Sequence, residues 1–360
     1  MKLVDAMMQK AVGENVFPGG VLLVSKNGVI RFYEAYGYAN VFTQSRMTKS
    51  TLFDLASLTK PLATTLAVMR LIQRRKIALE QNVGDILPQL KRGSKGHIQI
   101  GHLLGHCSGL PDYRPYYLDL CHLKPPLRKS ALRDFIDREP LVYPVGKKVL
   151  YSDLGFMLLA RIIETTAGSP LNRVVEEEIY MPLGLKNLFF VDLHAGKNNQ
   201  KFAATEKCPW RGTVMEGVVH DENAFIVGGV EGHAGLFGKA MDICRLLEGI
   251  LFTCQERNTD SVFTPNLVKR FLTCQSSIPQ TLGFDTPSAH DSSSGEYFSK
   301  NSVGHLGFTG TSFWMDLERS IIVILLTNRV HPTRTNDKIK AFRPQLHNAV
   351  MRCLVDEEKK

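Results

Sequence analysis

Ser57 stands three residues before Lys60, and no other serine in the chain has a lysine at that spacing. On a helix, positions i and i+3 share a face, so the hydroxyl and the ammonium would meet. A serine is a weak nucleophile until a neighbouring base takes its proton, and a partly desolvated lysine can serve as that base. If Ser57 opens the helix, the dipole and the free N–H groups of the first turn also favour negative charge beside it. The plain alternative is a serine capping a helix and a lysine on its surface. Four residues alone do not decide between the two.

Further reactive types gather in ATEKCPWRGTVMEGVVHDENAF (204–225). Cys208, His220, Asp221 and Glu222 are of metal-ligating type, and His102 and His106 have the i,i+4 spacing of a helical ligand pair. HLLGH lacks the zincin glutamate, and the 204–225 segment reads better as a long loop over a cleft. Trp210, Arg211 and His220 are then candidates for contact with substrate, or residues that hold the loop by hydrogen bonds. No metal and no cofactor is expected.

The elements that must position these residues follow from periodicity. Residues 58–76 form a strong helix candidate: Leu62, Leu66, Met69 and Ile72 fall at 3–4 spacing, and Arg74-Arg75-Lys76 suit its C-terminus. Pro61 falls in the first turn, where its missing N–H costs little. Two β-rich runs around Lys26-Asn27-Gly28 predict a hairpin over 20–40, preceded by a weaker helix over 3–15. Helices are expected over 102–110, 127–138, 153–167 with Gly168 closing it, 172–185 and 238–254. Residues 190–232 show few clear elements, and the Ser- and Gly-rich 276–303 reads as a mobile surface loop. Two β signals, 305–317 and 320–330, and a helix over 335–355 close the chain. Strands at both ends and helices between them predict an α+β fold: an antiparallel sheet flanked by N- and C-terminal helices, with a mostly helical insertion. The expected division is a sheet domain from 1–56 and 230–360 and a helical domain from 57–229, with the site at their interface.

Bulk composition narrows the function classes. The 360 residues are 44% hydrophobic and 22% charged, ordinary for a globular protein. No apolar run reaches the ~18–20 residues of a membrane span, and the first twenty residues lack the apolar core of a signal peptide. Seven scattered cysteines without a C-x-x-C read as free thiols in a reducing compartment. A cytoplasmic protein is expected, or a periplasmic one whose export signal has been removed. The net charge of +9 comes in small groups without interleaved aromatics, which argues against nucleic-acid binding. A positive field would still help an anionic small substrate arrive.

S-x-x-K opening a long helix between a hairpin and a helical region resembles the serine β-lactamase and penicillin-binding protein superfamily. HLLGHCSGLPDY (102–113), YPVGKKVLYSDLGFMLLARIIETTAGSPL (143–171), YMPLGLKNLFF (180–190), GHAGLF (232–237) and GHLGFTGTSFWMDLERSIIVILLTNR (304–329) are each similar to segments of its class C-like branch. That branch holds β-lactamases, DD-peptidases, D-aminopeptidases, esterases and muramyl-peptide amidases. The resemblance implies the DD-peptidase/β-lactamase-like fold and places the family's Tyr-x-Asn motif at Tyr151-Ser152-Asp153. Tyr38-Ala39-Asn40 and Tyr117-Leu118-Asp119 lack its flanks. The family's Lys-Thr-Gly falls at His305-Leu306-Gly307, rather than at the other [Lys/His]-x-Gly triplets such as Lys26–Gly28, His194–Gly196 and His233–Gly235. It implies catalytic roles for Ser57, Lys60, Tyr151, Asp153 and His305, an oxyanion hole from the N–H groups of Ser57 and Phe308, and substrate contacts at Gly307 and Thr309.

Two departures from the family pattern stand out. Asp153 replaces an amide by a carboxylate, which favours the charged form of Lys60 and shifts the base role toward Tyr151. His305-Leu306 replaces Lys-Thr and would hold a substrate carboxylate less firmly. The expected function is a serine acyl hydrolase acting on an amide or ester, with a peptidoglycan-derived peptide as the substrate the resemblance favours. A DD-carboxypeptidase or β-lactamase is the alternative within the family, and a non-catalytic penicillin-binding sensor or scaffold the alternative outside catalysis. The expected partner is a small molecule or peptide; neither nucleic acid nor a membrane span is expected, and the sequence leaves the oligomeric state open.

Overall fold

The computed structural model describes residues 1–193, 200–257, 262–274 and 281–356. His194–Gly196 and the part of the 276–303 stretch before residue 281 lie outside these. The hairpin forms as its turn residues require. Strands β1 (Gly19–Lys26) and β2 (Val29–Asn40) meet at Asn27 and Gly28, whose φ values of +53° and +79° are the left-handed pair of a two-residue hairpin turn. With β3 (Ser45–Arg46), β4 (Ser302–Leu306), β5 (Ser312–Asp316) and β6 (Ile321–Thr327) they make one antiparallel sheet in the order β3-β2-β1-β6-β5-β4. Both ends of the chain therefore meet at the centre, where Gly20 faces Thr327 and Lys26 faces Ile321.

Period-2 alternation sends each strand's side chains to two different cores. Leu22, Val24, Trp314, Ile321, Val323 and Leu325 pack with the helices α1 (Lys2–Gly13) and α5 (Ile339–Asp356). Val21, Leu23, Phe313, Met315, Ile322, Ile324 and Leu326 join a larger core shared with α2 (Thr65–Gln73), α3 (Asp153–Ala167) and α4 (Ala240–Cys254). Among the described residues no helix is long and apolar enough to cross a membrane.

Four local expectations need correction. The β signal over 305–317 is two strands, β4 and β5, separated by a tight turn at 307–311. The helix expected over 102–110 spans only Ile100–Leu104, because the chain turns at Gly105 and His106 takes φ +53°. The helix over 172–185 is Leu171–Val175 followed by a π turn, Glu176–Tyr180. Residues 281–301 are no free surface loop: Leu282 and Phe284 are fully buried in the larger core. Serine and glycine there build turns, and two apolar side chains anchor them.

Candidate active site

Ser57 lies in a single 3-10 turn, Ala56–Leu58. A π turn follows over Lys60–Thr64, in which the Thr65 N–H reaches back to Lys60 O, and only then does α2 run on. The backbone stays right-handed helical at Thr59, Thr64 and Thr65, so the helix expected over 58–76 runs on from the serine turn to Gln73 with a π turn inside it. Just before the serine, Ala56 holds φ at +46°, a conformation that costs an L-residue roughly 1–2 kcal/mol.

Fixed partners sustain that strain. The buried Asp54 carboxylate accepts the Ala56 N–H at 2.8 Å and the His220 N–H at 2.6 Å. From the opposite side the 307–311 turn fastens the same segment: Thr309 Oγ1 donates to Asp54 O at 2.8 Å and Thr311 Oγ1 to Leu55 O at 3.1 Å. A Cβ on Gly307 would lie 2.7 Å from Leu55 O and 2.0 Å from Thr311 Oγ1, so only glycine permits this approach. Gly307 and Thr309 thus hold the nucleophile's backbone; the Thr309 hydroxyl is spent on Asp54 and its side chain is buried.

Lys60 is fully buried. Its Nζ lies 3.0 Å from Ser57 Oγ, 2.6 Å from the Tyr151 hydroxyl, 2.7 Å from Asp153 Oδ1 and 3.3 Å from His233 O. Burial pulls the lysine pKa down, but Asp153 and Tyr151 outweigh it and the net shift is upward. Tyr151 is 40% exposed, yet desolvation of its hydroxyl pushes the phenol up to about 12, against the opposing pull of Lys60 and with the help of Asp153. The resting cluster is an ammonium, a phenol and a carboxylate. Neither Lys60 nor Tyr151 is a free base at neutral pH, and the cluster titrates as a unit.

Asp153 opens α3, where the helix N-terminus favours a carboxylate. Ser152 caps that helix: its Oγ accepts the Gly155 N–H at 3.1 Å and donates to Pro111 O at 2.6 Å. His106 reaches the same stretch, accepting the Leu150 N–H on its carbonyl at 2.8 Å and the Ser152 N–H on Nδ1 at 3.0 Å.

These groups open onto a cleft of about 410 Å³ lined by Ala56, Ser57, Asp112, Tyr113, Tyr151, Asp153, His220, Asp221, Glu222, Ala234, Phe308 and Arg334. Phe308 is half-exposed, its ring 5.7 Å from the His220 ring and 4.6 Å from the Arg329 guanidinium. Among the described residues, the N–H groups of Ser57 and Phe308 have no backbone acceptor, as an oxyanion hole at these two positions would require. Four carboxylates and one guanidinium line the wall, so the chain's positive charge is not concentrated there.

The cleft does not gather every expected residue. His220 lines it, held through Nε2 on Glu206 Oε2 at 3.1 Å. Arg211 stands behind the wall, donating to His220 O at 2.9 Å and Asp221 O at 3.3 Å and lying 4.2 Å over the Phe225 ring. Trp210 packs against Tyr117 at 4.9 Å. Neither Arg211 nor Trp210 lines the cleft. His305 is buried beside Tyr151, ring centroids 5.9 Å apart, with Nδ1 donating to Leu306 O at 2.9 Å. Burial, seconded by Lys60, lowers its pKa and keeps it neutral.

The metal-ligating types are used otherwise. Asp153, Asp221 and His233 bring ligand atoms within 4.8 Å of one another. Yet Asp153 faces the Lys60 ammonium, and Asp221 accepts from His233 Nε2 at 2.9 Å. His102 and His106 each spend Nδ1 on a backbone N–H, of Gln99 and Ser152.

Sequence reasoning misses His106, His233 and Arg334 as parts of this neighbourhood. His106 carries a signal, since the residue after Gly105 must turn the chain. Arg334 carries none: its carboxylate partners, Glu206 and Glu222, lie more than a hundred residues away.

Known proteins match this chain in sequence and in fold. The family model described as Beta-lactamase matches residues 4–346. The chain is 33% identical over 363 residues to an N-acetylmuramyl-L-alanine amidase of Bacillus subtilis (strain 168), covering 92% of this chain and 81% of that one. It is 32% identical over 349 residues to a protein of Escherichia coli (strain K12) named "Putative D-alanyl-D-alanine carboxypeptidase", covering 88% and 79%. A class C beta lactamase structure superposes with a TM-score of 0.74 at 18% identity over 97% of both chains, a likeness of fold.

Proposed function

This chain belongs to the beta-lactamase family, and on that premise we propose that it is a serine hydrolase that cleaves an amide or ester through a Ser57 acyl-enzyme. The observation that carries the proposal is the Lys60 ammonium, which bridges Ser57 Oγ at 3.0 Å and the Tyr151 hydroxyl at 2.6 Å. Once the Tyr151–Lys60–Asp153 cluster has given up one proton, Ser57 Oγ attacks the carbonyl carbon while its own proton passes into the cluster. The Ser57 and Phe308 N–H groups stabilise the oxygen as it becomes negative. The carbon–nitrogen or carbon–oxygen bond breaks, and the leaving amine or alcohol takes the proton. Water then attacks the acyl ester, and the cluster accepts its proton and returns one to Ser57.

The names of the two relatives, an amidase of N-acetylmuramyl-L-alanine and a putative D-alanyl-D-alanine carboxypeptidase, support a peptidoglycan-derived amide as substrate. The buried His305 supports a weak grip on the carboxylate of a β-lactam. Incubation with muropeptides, D-amino-acid peptides, short esters and β-lactams, read by mass spectrometry, tests the assignment. Release of peptide from a muramyl peptide supports the amidase reading. Release of a terminal D-alanine supports the carboxypeptidase, and turnover of esters or β-lactams alone contradicts both.

A further inference from the structure

We propose that His106 is a positioning residue for Tyr151: it holds both residues that flank the tyrosine and so sets the hydroxyl against Lys60 and Ser57. The inference rests on the reading of Tyr151 as part of the proton path. Residues 149–152 belong to no helix or strand, so no regular element fixes the tyrosine. The N–H before it, on Leu150, goes to His106 O at 2.8 Å, and the N–H after it, on Ser152, goes to His106 Nδ1 at 3.0 Å. The imidazole then packs 4.7 Å from the Tyr151 ring and 5.2 Å from that of Phe156.

The chemistry of the contact dictates the residue. Nδ1 accepts a hydrogen bond, so the imidazole is neutral with its proton on Nε2. A protonated ring would turn a second donor toward the Ser152 N–H. Burial, with Lys60 and His305 nearby, holds the ring well below its usual pKa and secures the neutral form. The backbone matters too: His106 sits at φ +53°, which asparagine tolerates better than most residues. Proton transfer between Ser57, Tyr151 and Lys60 needs hydrogen-bond contact, and a displacement of about 1 Å costs on the order of a hundredfold in rate.

Three substitutions separate the acceptor from the ring. His106→Asn keeps a side-chain acceptor near Nδ1 and suits the left-handed backbone; His106→Phe keeps a ring and loses the acceptor; His106→Ala loses both. The readout is the inactivation rate constant with a fluorophosphonate, resolved from the reagent's binding constant, with melting temperatures measured alongside. We expect His106→Phe and His106→Ala to slow labelling by about 10- to 100-fold, with binding unchanged within about twofold. His106→Asn should return to within about fivefold of the parent. In a Tyr151→Phe background, His106→Phe should cost little more. Asparagine as slow as alanine, a loss that lies in binding, or a loss in the Tyr151→Phe background equal to that in the parent would overturn the proposal. Should His106→Ala not fold, the asparagine–phenylalanine pair decides alone. Labelling that Tyr151→Phe does not slow, while Ser57→Ala abolishes it, rejects the role of Tyr151 and with it the inference. Labelling that survives Ser57→Ala rejects the acyl-enzyme itself.

Discussion

Lys60 Nζ stands 2.7 Å from Asp153 Oδ1, so the buried cation beside the nucleophile is neutralised by a carboxylate. An amide in that place would leave the lysine's charge free to favour a Tyr151 phenolate. The carboxylate instead raises both Lys60 and Tyr151, adding to burial in the tyrosine and overcoming it in the lysine. Asp153→Asn removes this upward pull. The active form needs a proton removed from the cluster, so kcat/KM of the parent should keep rising with pH through the alkaline range. In Asp153→Asn the rise should move to lower pH by about one unit or more. The same change leaves Lys60 without its buried partner and should destabilise the fold by about 3 kcal/mol at neutral pH, read by urea unfolding.

The two threonines of the 307–311 turn hold the carbonyls of Asp54 and Leu55, two residues and one residue short of the strained Ala56. Thr309→Val leaves Asp54 O buried without its donor and should cost about 1–3 kcal/mol. Because the same bond fixes the nucleophile's backbone, labelling of Ser57 should slow by more than the stability loss explains. A variant that loses stability but labels at the parent rate at 25 °C would show the turn to be scaffold alone.

Arg329 is buried and spends its guanidinium on backbone carbonyls: Phe308 O at 2.9 Å and, through Nη1, Arg334 O and Asn336 O, each at 2.9 Å. A Cβ on Gly310 would meet Arg329 Cγ at 2.6 Å, so the glycine makes room for the arginine. Arg329→Met should loosen Phe308 and lower kcat about tenfold or more, short of the 10²–10³-fold lost with a missing oxyanion donor. A boronate that mimics the tetrahedral intermediate should weaken in parallel, while substrate KM changes little.

Acid stability should depend on Glu206. Burial alone would raise its carboxyl, but hydrogen bonds from His220 and Arg334 hold it down at about 2, against 4.5 for a free glutamate. A depressed carboxyl contributes stability that is complete above pH 4.5 and fades as the pH falls toward 2. Glu206→Gln should therefore be less stable than the parent at pH 7, with the gap narrowing by pH 3. Urea unfolding at the two values measures both, and a gap that widens in acid would contradict the assignment.

What the sequence made legible is what short-range pattern encodes. The Asn27-Gly28 hairpin, α3 with its Gly168 stop and the meeting of both chain ends in one sheet could all be read from periodicity and turn chemistry. Ser57 and Lys60 were legible from spacing, and Tyr151 and Asp153 from resemblance. Contacts across long separations were not. Thr309 looked like a substrate contact because the motif places it at the site, yet its hydroxyl is drawn to Asp54 O, 255 positions away. Arg211 and Trp210 looked like cleft residues from composition, but backbone carbonyls and aromatic neighbours claim them first. The strained turn before Ser57 left no mark on periodicity, since Ala56 is an ordinary helix former.

The covalent step at Ser57 is the centre of this account. Intact-protein mass spectrometry after treatment with a fluorophosphonate, followed by peptide mapping, tests it most directly. We expect one adduct per chain, on the peptide carrying Ser57, absent from Ser57→Ala and slowed in Tyr151→Phe. An adduct that persists in Ser57→Ala, or hydrolysis of a substrate that continues in that variant at the parent rate, would contradict it.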